Sequence, residues 1–269
     1  MPPKSKLSIK YFNIIFPNDE ACLEFIFRKN HGMRDYRRVL GRACFQNPKG
    51  EQVYPLAGTI FERSSTPLVK WFYAIYLFSV SKHGVSAAEI QRHVEVTYKT
   101  AWRMARLIRT LMSSKVRLSG IVEVDETYIG GRRSSRRRWS NKEMVMGIVE
   151  RGGKVHAKHL PARENHLLLE EIASTVEEGS VIFSDQLPAY RRTTRMGYVH
   201  DTVNHGIREY ARGITHTNTI EGVWSQLKRS IRGTHVAVSK QHLQGYVDQL
   251  TFRYRQSSEA SFMELLARI

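Results

Sequence analysis

The pattern of apolar and polar positions predicts helices in the first part of the chain and an α/β alternation in the rest. The opening 20 residues read as basic and irregular. "NDEACLEFIF" then reads as an amphipathic helix that Asn18 or Asp19 can cap, with Leu23, Phe25 and Ile26 as apolar residues. Residues 28–58 are rich in Gly and Arg and carry short strand-like pieces, "RRVLGRACF" and "EQVYPLAG", which predicts a small β-rich module. A helix starts near Pro67, a favoured first-turn residue, and runs to about Ser81, before Gly84. Ser86 with Glu89 three residues later has the capping-box spacing for a short helix. "HVEVT" breaks it, and Thr97 caps a second helix that reaches about Met112. Two helices joined by so short a turn fit a helix-turn-helix and equally a packed helical hairpin.

After "SSKVRLSG" strands and helices alternate. Residues 121–129 read as a strand, 143–151 and 154–160 as a hairpin around Gly152-Gly153, 164–177 as a helix and 180–185 as a short buried strand. A further strand lies near 198–203, and helices cover 217–232 and 239–255. There is no internal repeat. The divisions that follow are an N-terminal module at 1–62, a helix-turn-helix region at 63–116, an α/β domain at 117–255 and a helical tail at 256–269. No apolar run approaches the roughly 18 residues of a spanning helix, and no signal peptide opens the chain, so no membrane role is expected.

Charge sharpens this picture. Lys and Arg number 42 against 25 Asp and Glu, a net +17, which points to a polyanionic partner, most often nucleic acid. The second helix of the pair carries Lys99, Arg103, Arg106 and Arg109, which favours DNA as its partner. "RRSSRRR" puts Arg132, Arg133, Arg136, Arg137 and Arg138 just after the first α/β strand, where they can track phosphates. Trp102 and Trp224 are expected to pack in cores, the default for tryptophan on a helix. Two cysteines, Cys22 and Cys44, make no disulfide framework and fit a reducing compartment.

In so basic a chain, the strand "VEVDETYIGG" is notable for three acids, Glu123, Asp125 and Glu126. A buried strand avoids carboxylates, because an unpaired charge taken from water costs several kcal/mol. Asp185 follows the strand "VIFS" directly, and strand ends are where α/β sheets collect functional groups. Glu221 lies on a helix that Thr217 or Asn218 can cap, with Lys228 two turns later on the same face. Each acid alone fits an ordinary strand-end or surface position. Converged, Asp125, Asp185 and Glu221 would need a cation, and a hard divalent ion takes such oxygen ligands. Two ions can activate an attacking oxygen and stabilise the leaving oxygen of a phosphodiester. On this reading Glu123 and Glu126 are supporting or surface residues.

The stretches "AGTIFERSSTPLVKWFYAIYL", "KHGVSAAEIQRHVEVTYKTAWRM", "VEVDETYIGGR", "FSDQLPAY", "VNH" and "HTNTIEGVWSQLKRSIRGTH" together resemble the DDE transposases of bacterial insertion sequences. The similarity is to the group with an N-terminal zinc ribbon, a helix-turn-helix and an RNase H-like catalytic domain, the ISXO2-like group, to which Merlin-type transposases are distantly related. It covers about residues 50–255. It implies an α/β, RNase H-like domain built on a mixed sheet flanked by helices. It also implies Mg2+- or Mn2+-dependent cleavage and strand transfer at the terminal inverted repeats of an element, into target DNA. Asp125, Asp185 and Glu221 would hold one or two ions, with Lys228 and Arg229 on DNA phosphates. A homodimer or higher assembly on DNA is implied, in the cytoplasm or nucleoid of a bacterium or the nucleus of a eukaryote. One departure stands out. The ribbon's paired cysteines are missing near His31, and the second pair survives only as Cys44, so bound zinc is not expected. Two other activities fit the same residues: a transposase-derived DNA-binding protein without catalysis, and a structure-selective nuclease on the same fold. His205, His216 and His235 read as structural or DNA-adjacent rather than as metal ligands.

Overall fold

The computed structural model describes residues 7–32, 35–130, 142–161, 164–185, 187–203, 211–212 and 215–269. The run Arg132–Arg138 and His205 lie outside the described residues. The chain forms two compact units, residues 1–112 with 256–269, and residues 113–255. No described helix is long and apolar enough to cross a membrane.

The first unit is built on aromatic side chains. Its opening segment is not irregular: α1 (Ile9–Ile15) starts at Ser8, whose hydroxyl accepts from the Tyr11 N–H at 3.1 Å. Seven residues are too few to show a period, so the cap and the burial of Phe12 define this helix rather than any amphipathic pattern. In α2 (Asp19–His31) the cap is Asn18. Asp19 instead accepts from the Val69 N–H at 2.9 Å, at the start of α3 (Leu68–Val80), where Pro67 offers no capping side chain. Phe12 and Phe16 pack against Phe262 of α9 (Ser258–Ala267), and Phe16 also meets Phe72 of α3. The C-terminal helix is therefore part of this unit's core.

Three short antiparallel strands, β1 (Arg37–Val39), β2 (Cys44–Gln46) and β3 (Gln52–Val53), form the small β module. Phe45 of β2 stacks on Phe27 of α2 with centroids 4.0 Å apart, and His31 stacks on the same ring. Cys22 and Cys44 are buried free thiols. Next, α4 (Ala87–Val94) carries the full Ser86/Glu89 capping box and ends at Glu95, in left-handed conformation with φ 55°. Thr97 caps α5 (Tyr98–Thr110).

In the second unit a five-stranded mixed sheet has the order β6-β5-β4-β7-β8. The strands are β4 (Ile121–Ile129), β5 (Glu143–Glu150), β6 (Val155–Leu160), β7 (Val181–Ser184) and β8 (Val199–Thr202). β4, β5 and β6 are antiparallel neighbours, whereas β7 runs parallel to both β4 and β8. Because side chains alternate along a strand, central β4 serves two cores. Val122 and Val124 face Leu168 and Ile172 of α6 (Asn165–Thr175). Ile129 joins the opposite core with Ile220, Val223 and Trp224 of α7 (Asn218–Ser230) and Val247 of α8 (Leu243–Arg253). This is the α/β, mixed-sheet arrangement flanked by helices that the resemblance implied.

Candidate active site

Asp125 sits where the central strand meets the end of β7. Val124 pairs with Ser184, so Asp185 leaves β7 beside Asp125. The Asp185 carboxylate is turned by its own backbone, its Oδ1 accepting from the Leu187 N–H at 3.1 Å. Oxygens of Asp125, Glu126 and Asp185 all lie within 4.8 Å of one another, forming a group of metal-ligating type among the described residues. Glu126 is therefore neither a remote nor a surface acid. Asp125 and Glu126 leave the strand on opposite faces. Asp125 turns towards α7, where the Trp224 indole N–H donates to its Oδ2 at 2.9 Å. Glu126 turns towards the 3-10 helix Pro188–Met196, where the hydroxyl of the fully buried Tyr190 donates to its Oε1.

Glu221 is exposed in the first turn of α7. It lies outside the group formed by the other three acids, yet its charge acts on Asp125. Burial pushes the Asp125 carboxyl up to about 6. Hydrogen bonds from Trp224 and the Glu126 backbone oppose that rise, while the charges of Asp185 and Glu221 add to it. The Tyr190 hydroxyl is held well above its usual range by burial first and by Glu126 second, so it stays a donor.

Trp224 packs in the core as expected, but it also has a polar function that periodicity does not show. Its place depends on Gly147, which pairs with Asp125 across β4 and β5. A Cβ at Gly147 would lie 2.4 Å from the indole, so only glycine admits the ring. Glu123, the strand's third acid, is fully buried on the α7 face. It accepts from the Arg151 Nε at 2.7 Å, from the N–H groups of Thr219 and Ile220 at 2.8 and 3.0 Å, and from the Thr219 hydroxyl at 2.8 Å. The His216 Nδ1 lies 3.2 Å from the same carboxylate. Two acids two residues apart on a buried face were the available sequence signal for this arrangement; the partners, 28 to 97 residues away, were not.

The remaining candidates divide. Lys228 is half-buried and Arg229 exposed, both on α7. On α5, Lys99, Arg103 and Arg106 are exposed. Arg109 is not available to a partner: it is buried, donates to the Val85 carbonyl and lies over the Phe78 ring. Trp102 is 39% exposed rather than a core residue, with the Arg106 guanidinium 6.0 Å from its ring centre. Helical spacing puts it with Tyr98 and Arg106 on the outer face, away from buried Ala101, Met104, Ala105 and Ile108. His235 packs edge-on against Tyr246.

The ISXO2-like transposase domain model matches residues 117–255, more than half of the chain and nearly all of the second unit. An uncharacterized protein in transposable element ISH50 of Halobacterium salinarum is 28% identical over 241 residues, spanning 82% of this chain and 79% of its own. A chain in the cryo-EM structure of a simian T-cell lymphotropic virus intasome, in complex with PP2A regulatory subunit B56 gamma, is 17% identical. It has a TM-score of 0.33, with 64% of each chain covered. The order of motifs along the chain, the mixed sheet and the match over the α/β unit agree, and this protein belongs to the ISXO2-like transposase domain family of insertion-sequence DDE transposases.

Proposed function

We propose that the protein binds the terminal inverted repeats of its own element, cleaves the DNA at those ends and joins the freed 3′-hydroxyls to target DNA. The observation that carries this reading is the convergence of Asp125, Glu126 and Asp185 where β7 ends beside the middle of β4, with Glu221 within electrostatic reach. Three carboxylates form a hard, oxygen-only donor set, which suits Mg2+ or Mn2+. Asp125, Asp185 and Glu221 would hold the ions, and Glu126 presents one more oxygen at the same place. Bound divalent ions would supply charge neutralisation and activation of the attacking oxygen. The chain's own residues do the rest. Trp224 and the Glu126 backbone orient the Asp125 carboxylate by donating to it. Lys228 and Arg229 extend the active-site helix as phosphate contacts. The freed 3′-hydroxyl acts as the second nucleophile, so no covalent protein intermediate is required.

DNA recognition is assigned to α5, whose exposed Lys99, Arg103 and Arg106 stand beside Tyr98 and Trp102, a basic face interleaved with aromatics. The run Arg132–Arg138 is assigned to phosphates rather than to bases. Joining two ends requires a homodimer or higher assembly on DNA, acting wherever the element resides. Labelled element-end DNA tests the proposal. Asp125→Asn, Asp185→Asn and Glu221→Gln should each abolish cleavage and joining in Mg2+ while end binding stays near wild type. Wild-type cleavage by one of them removes that residue from the assignment. Binding without cutting would identify a DNA-binding derivative, and branch-selective cutting without joining a nuclease.

A further inference from the structure

The geometry points to Glu123 as a positioning residue: it anchors the helix that carries Glu221 to the strand that carries Asp125. This inference rests on the reading that Glu221 takes part in the DNA chemistry. Helix α7 begins without a cap of its own, since Thr217 makes no side-chain capping bond. The N–H groups of a first turn have no partner within the helix. Here two of them, on Thr219 and Ile220, are taken by the Glu123 carboxylate, which reaches across from β4. A buried negative charge at a helix N-terminus is favoured by the helix dipole as well as by the hydrogen bonds.

The carboxylate is itself held from behind. Arg151 donates its Nε to Glu123 and its Nη2 to the His216 carbonyl at 2.9 Å, just before α7 begins. Its guanidinium lies 4.8 Å from the centre of the Phe183 ring on β7. Strand, helix start and the loop before it thus converge on one side chain. Glu123 and Asp125 share a face of β4, and Glu221 follows Ile220 directly. The contact that fixes Ile220 therefore also sets how far Glu221 stands from Asp125. Any carboxylate could serve as a local cap. Placed on β4, two residues before Asp125, it ties one end of the metal-binding set to the other.

Glu123→Gln tests this in the full-length protein, because it keeps the shape and loses the charge and one strong acceptor. Three readouts are needed. Amide hydrogen exchange at Thr219 and Ile220 should speed up by about two- to thirty-fold, the range a lost helix cap produces, while amides of α6 keep their protection. Cleavage should fall by roughly 10- to 100-fold with a higher Mg2+ requirement, as for groups that orient metal ligands. Binding to element-end DNA should stay near wild type, because Glu123 is fully buried and presents no surface to DNA. A merely structural residue would lower the folded fraction without moving the Mg2+ midpoint. If Glu123→Gln does not fold, Thr219→Val decides, since it removes only the hydroxyl donor; it should move exchange and Mg2+ midpoint the same way, less far. Unchanged exchange at Thr219 and Ile220 overturns the anchor. Faster exchange with an unchanged Mg2+ midpoint overturns the positioning role. Wild-type cleavage by Glu221→Gln would instead sink the assignment of Glu221, a result separable from both because the exchange readout does not depend on activity.

Discussion

Replacing Asp125 by Asn should make the metal-free protein more stable at neutral pH, while removing the proposed activity. The carboxyl is pushed from an ordinary 3.8 to about 6, mainly by burial. At about 1.4 kcal/mol for each tenfold change in proton affinity, that is worth up to about 3 kcal/mol. The sign follows from which state holds the proton more tightly. Well below pH 3.8 both folded and unfolded chains are protonated at this site, and the group costs nothing. Between 3.8 and about 6 the folded state retains the proton that the unfolded state has lost, so rising pH removes stability. Above about pH 7 the full cost of the buried charge is present. Asn carries no charge, and its side-chain oxygen can still accept from Trp224. The stability gap between Asp125→Asn and wild type should therefore be small near pH 3, reach about 1 kcal/mol at pH 4.5, widen up to about pH 6 and level off at about 2–3 kcal/mol by pH 8. Urea unfolding with EDTA at several pH values measures it. Mg2+ should then narrow the gap by stabilising wild type alone, by about 2.7 kcal/mol at a hundred times its dissociation constant. A gap that stays flat from pH 4.5 to 8 without metal, or a variant less stable at pH 8, would refute the reasoning.

Gly147→Ala should destabilise the α/β unit by about 1–3 kcal/mol, because the new methyl meets the Trp224 indole at 2.4 Å. A double variant with Trp224→Leu should recover part of the loss; strict additivity in a double-mutant cycle would show that the ring is not the obstacle. Arg103→Ala should narrow the difference in affinity between element-end and scrambled duplexes by about 1–3 kcal/mol if it contacts a base. Replacing the five arginines of 132–138 by Ser should weaken both duplexes and flatten the salt dependence by about 0.9 in log–log slope for each lost phosphate contact; loss of specificity at an unchanged slope would reverse this division of labour. Purified protein should hold no stoichiometric zinc, since burial pushes the Cys22 thiol up to about 12 and zinc takes thiolate; about one tightly held zinc per chain by elemental analysis would overturn this and direct attention to Cys44 and His31.

Local signals determined much of this protein. The Ser86/Glu89 and Thr97 caps, the Gly152-Gly153 hairpin and the strand at 121–129 were legible because each depends on residues a few positions apart. The long motifs around Asp125, Asp185 and Glu221 carried the family for the same reason, being read in order along the chain. Residues fixed by distant partners were not legible. Arg109 reads as one more cation on a basic helix until the fold places the Val85 carbonyl and the Phe78 ring beside it. Trp102 and Trp224 look alike in sequence, yet one is exposed and the other donates to Asp125. The strand's three acids could be counted from the sequence but not assigned. Only the packing of α7, the 3-10 helix and β7 around β4 turns one towards helix N–H groups, one towards an indole and one towards a buried tyrosine. The physical reason is that a buried charge is decided by its partners, and here those partners arrive from 28 to 99 residues away.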